Sequence, residues 1–267
     1  MDANTAGKPA APRATCETVL AVRHWTPDLL SFRTSRAAGF CFTPGHYARL
    51  GLGADDQALV WRPFSVVSAL REQHLEFVAT LVPGGGFSSL LSDIRAGHPM
   101  RVGSASYGFM TIDGLAPGQD LWLLASGSGL GPFLSILRDP ATWRAYENVM
   151  LVHSVRHAVE LAYSDEIAVI PDEMGLTLRE RLRYLPVVTR EARPGALAAR
   201  IPQLIDDSRL EQAAGRNIDL QLSRIMVCGN PELAGALRAQ LTARGFRTSR
   251  RGAPGQLAFE NYWQSKS

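Results

Sequence analysis

From Cys16 to about Val102, apolar and polar residues alternate roughly in short runs: ETVLAVRHW, LLSFRTSR, HYARLGL, RPFSVVSA and HLEFVATLV. Side chains on a strand point to opposite faces in turn, so this period predicts strands of an antiparallel barrel or sandwich. Pro27, Gly39, Pro44-Gly45, Gly51, Gly53 and the run from Pro83 to Gly86 break the pattern and supply its turns. One helix, over roughly residues 88–96, interrupts the strands. Beyond about Gly118 the rhythm becomes apolar strand, glycine turn, helix: DLWLLASGSGLGPFLSILRD, NVMLVHSV, YLPVVTRE and RIMVCGNPELAGALRAQLTARG. Strands alternating with helices predict a parallel sheet with right-handed crossovers. The polar turn DGLAPG separates the two patterns, so we expect a flexible tail over residues 1–15, an antiparallel β-barrel domain over 16–115 and an α/β domain over 116–267.

With 267 residues and 46% of them apolar, the chain can fill two cores, and its 20% of charged residues fits a globule rather than a disordered or fibrous chain. No apolar run approaches the ~20 residues of a membrane helix, and MDANTAGKPAAPRAT offers no hydrophobic stretch for secretion. A soluble cytoplasmic protein with no membrane association is therefore expected. Cys16, Cys41 and Cys228 are far apart and form no Cys-x-x-Cys pair, so neither a disulfide scaffold, an iron-sulfur cluster nor another metal site is written here. The net charge of +3 is too small to imply nucleic-acid binding. The basic residues are 26 arginines and only two lysines, and arginine presents a planar fork suited to phosphate and carboxylate. A compositional habit of the genome explains the same bias.

Four segments could carry chemistry. The first, Leu123 to Phe133, runs from an apolar strand through Gly127, Ser128 and Gly129 into a helix with Pro132 in its first turn. Backbone N–H groups in such a turn suit a pyrophosphate, although strand-helix glycines also serve packing alone. The second pairs Arg62-Pro63-Phe64-Ser65 with the later loop Gly84 to Ser89. Arginine for phosphate, an aromatic for a flat ring and a hydroxyl beside it make a flavin-binding set. Equally, Phe64 can be a core residue, Ser65 a satisfied strand hydroxyl and Ser88 a helix cap. The third places Cys228-Gly229-Asn230-Pro231 at the carboxyl end of a strand, where ligands of open α/β sheets sit, although free cysteine is often just a small buried hydrophobe. The fourth is the ending Phe259-Glu260-Asn261-Tyr262-Trp263, whose aromatics dock on the core or cap a flat cofactor.

In order and spacing together, from about Glu17 to Trp263, the chain resembles the bacterial ferredoxin-NADP(H) reductases of the ferredoxin-reductase superfamily. The resemblance implies an N-terminal barrel for FAD and a C-terminal five-stranded parallel sheet for NADP(H). It implies that Arg62 contacts FAD phosphate, Phe64 stacks on the ring and the Ser65 hydroxyl lies near flavin N5, with Pro63 stiffening this motif. Gly85, Gly86, Phe87 and Ser88 fall by the FAD pyrophosphate. Gly127, Gly129 and Pro132 match the family's glycine segment for NADP, and Ser128, on the FAD side, stands where threonine is usual. Cys228 and Gly229 fall beside the nicotinamide, Glu260 near its carboxamide, Tyr262 over the flavin face and Trp263 on the adenine of a folded FAD. Arg156, Thr189, Arg190 and Arg200 match positions that grip the 2′-phosphate. The second parallel strand ends in SVRHAVE, with an arginine and no immediate acid, which independently favours NADP over NAD.

Phe64 lacks the hydroxyl of the commoner tyrosine, and residues 264–267 extend past the usual aromatic ending. The implied activity is that of an FAD-dependent oxidoreductase: hydride exchange between NADP(H) and FAD, then one-electron steps with an acidic carrier, ferredoxin or flavodoxin, by a monomer. Ser65, Cys228, Glu260 and Tyr262 would be its catalytic residues, acting by placement, since no histidine stands ready to activate Cys228 as a nucleophile. Alternatives are a reductase component feeding an oxygenase or other redox partner, and a flavin-binding redox module that does not oxidise NADPH.

Overall fold

The computed structural model describes residues 13–53, 58–175 and 180–260. Its first half is a six-stranded antiparallel sheet built from β1 (Ala14–Thr26), β2 (Leu29–Ser35), β3 (Tyr47–Leu52), β4 (Val60–Ser65), β5 (His74–Thr80) and β6 (Pro99–Tyr107), in the order β4-β3-β6-β1-β2-β5. The sheet curls until its ends meet, where Val67, just past β4, donates its N–H to the Glu76 carbonyl of β5 at 2.8 Å. Alternation does what the sequence predicted: Leu30 and Phe32 of β2 join Leu50, Leu75, Phe77 and Met100 inside the barrel. Pro63, opposite Arg49, sits in β4 at the end of the strand order, the kind of position where proline is tolerated in a sheet.

Two expectations for this half are corrected. A sixth strand, β6, was not foreseen; PMRVGSASY has no clean alternation, and its burial is accordingly irregular. The helix, α1, spans Gly86–Ser92 rather than 88–96, buries Phe87 and Leu91 one turn apart, and takes Gly85 as its N-cap residue. Ser88 is not the cap: its Oγ instead accepts the Val82 N–H at 2.9 Å and closes the glycine loop.

After a short 3-10 turn at Ile112–Gly114 come β7 (Asp120–Ser126), β8 (Asn148–Val155), β9 (Leu182–Val188), β10 (Ser223–Cys228) and β11 (Leu257–Glu260). All pair in parallel, in the order β11-β10-β7-β8-β9. Strand β11 lies in the segment read from sequence only as a docking tail; four residues are too few for a periodic signal. The central strands are buried on both faces. Leu121, Leu123 and Ala125 of β7 face α2 (Gly131–Leu137), α3 (Pro140–Ala145) and α4 (Ser164–Met174), whereas Trp122 and Leu124 face α5 (Ile201–Asp206), α6 (Arg209–Ala214) and α7 (Pro231–Ala243). The chain reverses direction across the sheet between β7 and β10, so the crevice of an open α/β sheet opens at their carboxyl ends.

The two sheets share a core. Leu29, Val67 and Val78, on the outside of the barrel, and Met110 beyond β6 pack into the apolar cluster around β7 and α2, each contributing about 1.5–3 kcal/mol by burial. Beside this seam the buried Glu76 carboxylate accepts the Tyr163 hydroxyl at 2.9 Å and Arg33 Nε at 3.2 Å, with Arg138 Nη1 at 3.9 Å. A charge so far from water keeps its place only when paired on several sides. No helix among the described residues is long and apolar enough to cross a membrane.

Candidate active site between the two sheets

The glycine segment is the hinge of the site. Strand β7 ends at Ser126, residues Gly127–Leu130 make one 3-10 turn, and α2 follows with Pro132 in its first turn. Gly127 has φ +53°, a left-handed value that glycine adopts without cost. Gly129 is required for a different reason: a methyl group there would overlap the Cys228 carbonyl oxygen and lie 2.6 Å from its carbon and 2.7 Å from Gly229 Cα. The turn therefore rests directly on the end of β10. On its other side it meets the barrel, with Thr80 Oγ1 donating to Ser128 Oγ at 3.2 Å and a methyl on Gly131 lying 3.5 Å from Ser65 Cβ.

Cys228 and Glu260 end β10 and β11 as register partners, with Ala125 of β7 on the opposite side of Cys228. The Cys228 thiol is fully buried, and burial, helped by the Glu260 charge, pushes its pKa well above the ordinary thiol range. It is a neutral thiol at pH 7, which fits a residue that shapes a surface rather than one that attacks. Glu260 Oε1 reaches within 3.5 Å of the Gly108 Cβ position, at the end of the barrel. Its charge, after burial, raises the phenol pKa of Tyr47. Tyr47 pairs in register with both Ser65 and Tyr107, and the two tyrosine rings lie 5.9 Å apart. Ser65, Cys228 and Glu260 thus converge on one corner where the sheets meet. Tyr47, Tyr107 and Gly108 complete that corner and were not foreseen, since only the pairing of β3 with β6 brings them there.

The flavin-motif residues form a second group along the barrel. Phe64 is half-buried, edge-on to Phe32 at 6.3 Å and 5.2 Å from Phe87, so the Arg62–Ser65 strand and the Gly85–Ser88 loop pack on each other. The core reading of Phe64 is thus partly met, with one side of the ring against the barrel interior. Arg62 is exposed and its Nη1 donates only as far as its neighbour's Trp61 carbonyl, at 2.8 Å. Nothing lies within 4 Å of a methyl placed on Gly86, so the loop presents open backbone.

The third group lines a cleft of about 470 Å³ that contains Arg156, Thr189, Arg190 and Arg200 together with Ser126, Gly127 and Ser128. Parallel strands explain the convergence: Arg156 directly follows β8, Thr189 and Arg190 follow β9, and Arg200 precedes α5 as its N-cap residue. Thr189 Oγ1 donates to the Val155 carbonyl at 3.1 Å and the Arg190 N–H to the Arg156 carbonyl at 2.9 Å, which ties the two strand ends together. Two carboxylates unforeseen from the sequence moderate the positive charge, Glu160 at 3.4 Å from Arg156 Nε and Glu232 at 3.8 Å from Arg200 Nη1. Ser65, Cys228, Gly229 and Glu260 do not line this cleft; they lie behind the glycine turn. Tyr262 and Trp263, and the extension 264–267, fall outside the described residues.

The family model of the oxidoreductase NAD-binding domain matches residues 123–239. The chain is 40% identical over 253 residues to the ferredoxin–NADP reductase A of Sorangium cellulosum, covering 93% of this chain and 90% of the relative. It is 34% identical to the flavodoxin/ferredoxin–NADP reductase of Escherichia coli, over 92% of this chain and 97% of that one. Among solved structures, a ferredoxin NADP⁺ reductase from Neisseria gonorrhoeae with bound FAD and NADP superposes with TM-score 0.87 at 34% identity, covering 95% of this chain and all of the other. The glycine turn, paired sheets and arginine-lined cleft are those of a two-sheet pyridine-nucleotide oxidoreductase. Within that class, the chain belongs to the ferredoxin/flavodoxin–NADP reductase family.

Proposed function

We propose that this protein is an FAD-dependent oxidoreductase exchanging electrons between NADP(H) and a one-electron carrier, ferredoxin or flavodoxin. One observation carries the nucleotide half of this reading: Arg156, Thr189, Arg190 and Arg200 meet in one cleft with the glycine turn. Three exposed guanidinium groups, two just past parallel strands and one at the start of α5, suit a dianionic 2′-phosphate, and a free ribose hydroxyl gives them nothing to neutralise. The flavin half fits as well, because the exposed guanidinium of Arg62, the half-buried ring of Phe64 and the open backbone at Gly86 lie together. When bound, FAD accepts a hydride from the nicotinamide and passes electrons on singly.

The chain's own residues supply placement. In this reading Arg62 holds flavin phosphate, Gly85, Gly86, Phe87 and Ser88 cradle the pyrophosphate, and Phe64 packs against the flavin group. Gly127, Ser128, Gly129 and Pro132 form the floor under the nicotinamide nucleotide. Ser65, Cys228, Gly229 and Glu260 shape the corner where nicotinamide and flavin meet, the neutral thiol filling space and the carboxylate accepting hydrogen bonds. Tyr262 and Trp263 keep the flavin-covering roles that the resemblance assigns them. The FAD-binding unit is residues 16–115 and the NADP(H)-binding unit 116–267, acting as a monomer in the cytoplasm without nucleic-acid or membrane partners.

Changing Arg156 and Arg190 to alanine together tests the central assignment. The expected result is a loss in kcat/KM for NADPH of at least about 100-fold, from two charge-assisted bonds at ~1.5–3 kcal/mol each, with kcat/KM for NADH changed less than about threefold. Equal losses for both nucleotides would contradict it.

A further inference from the structure

A buried titratable group that the reaction does not use lies directly beneath the glycine turn. His153, two residues before the end of β8, is 1% exposed, with Ala125 and Pro186 as its register partners. Its Nε2 lies 3.2 Å from the Gly127 carbonyl oxygen, and its Nδ1 lies 3.5 Å from the Tyr184 hydroxyl, which is itself 3.4 Å from Ser164 Oγ. Burial lowers its pKa to about 4, so the ring is neutral at pH 7 and carries one proton. A carbonyl can only accept, which puts that proton on Nε2 and leaves Nδ1 to face the tyrosine hydroxyl.

We infer that His153 is a positioning residue for the nucleotide, fixing the orientation of the peptide between Gly127 and Ser128. In a trans peptide the C=O and the following N–H point in opposite directions. Holding the Gly127 oxygen inward on His153 therefore turns the Ser128 N–H outward, toward the cleft that Gly127 and Ser128 line. The 3-10 turn's own backbone bonds hold this peptide on one side, and because glycine at φ +53° resists rotation less than any other residue, His153 adds a second, side-chain anchor to the same carbonyl. A rotated peptide would aim a carbonyl oxygen at the ligand's phosphates. Tyr184 holds the ring from behind, half-buried at the β9 edge of the sheet.

This inference rests on the reading of the turn as part of the nucleotide site, and the test separates the two. FAD-loaded wild type, His153→Leu, His153→Gln and Tyr184→Phe are titrated with NADP⁺ and, separately, with 2′-AMP, which carries the 2′-phosphate for the arginine end but no pyrophosphate. Visible spectra and thermal melts are recorded for each. For His153→Leu the NADP⁺ Kd is expected to rise about tenfold, with that for 2′-AMP moving less than about twofold. Glutamine, which can place an N–H near the Nε2 position, should recover NADP⁺ binding to within about threefold of wild type. The inference is overturned if His153→Leu binds NADP⁺ as wild type does, if both ligands weaken in step, or if glutamine restores melting temperature but not NADP⁺ affinity. Wild type failing to bind NADP⁺ would instead overturn the reading of the site.

Discussion

Replacing Gly129 by alanine tests how closely the glycine turn must lie on β10. The added methyl has no room: it overlaps the Cys228 carbonyl oxygen and sits 2.6 Å from the Cys228 carbon and 2.7 Å from Gly229 Cα, all backbone atoms that no rotamer change can move. Restoring ordinary contact at about 3.5 Å requires turn and strand to part by roughly 1 Å. Overpacking of this kind costs about 1–3 kcal/mol, or a few degrees to about 10 °C in Tm for a chain of this size. Gly127→Ala is the control, because nothing lies within 4 Å of its added methyl and it pays only for the left-handed φ of +53°, about 1–2 kcal/mol. Stability therefore barely separates the two variants, but function does. A 1 Å shift between the turn and Cys228 falls where nicotinamide must meet flavin and should slow hydride transfer by about 100-fold. Gly127→Ala, which leaves that contact in place, should cost no more than about tenfold. Urea unfolding gives the first quantity and anaerobic stopped-flow reduction by NADPH the second. Gly129→Ala reduced within about twofold of the wild-type rate would refute the reasoning.

The buried charge at the seam gives a second outcome. Glu76→Ala leaves the Tyr163 hydroxyl and the nearly buried Arg138 without their carboxylate and should destabilise by about 3–5 kcal/mol in urea, against about 1 kcal/mol for Tyr163→Phe. His153 makes stability depend on pH. Its folded pKa of about 4 lies below the ordinary 6.5, so between these values the unfolded chain binds the extra proton. Stability falls as pH drops from 6.5 towards 4, by about 3 kcal/mol, and that slope should flatten in His153→Gln. Finally, Cys16 and Cys41 are exposed and Cys228 is buried with a raised pKa. A disulfide reagent at pH 8 should therefore titrate two thiols quickly in native protein and the third only after unfolding.

Much of this arrangement was legible in the sequence. Leu30 and Phe32 announced a half-buried strand by their spacing, and the unbroken apolar run of β7 announced a parallel one buried on both faces. Arg156, Thr189, Arg190 and Arg200 were grouped by the resemblance alone; the parallel strands explain the first three, which follow β8 and β9 at one end of the sheet, and the start of α5 brings in Arg200. The register that seats Tyr47 beside Ser65 and Tyr107 was not legible, because it depends on β6, whose irregular burial hides its period. Nor did Ser88 behave as its residue type suggested, since closing the loop onto Val82 competed with capping and won. His153 was hidden inside VMLVHSV, where a polar residue looks like an interruption of a strand. Only the fold brings Gly127 above it.

The most direct measurement is anaerobic stopped-flow absorbance of the purified yellow protein mixed with NADPH and, separately, with NADH, followed by addition of oxidised flavodoxin or ferredoxin. The account predicts rapid bleaching by NADPH, far slower bleaching by NADH, and return of the yellow colour as the carrier takes up electrons. A yellow protein that neither nucleotide bleaches would contradict it.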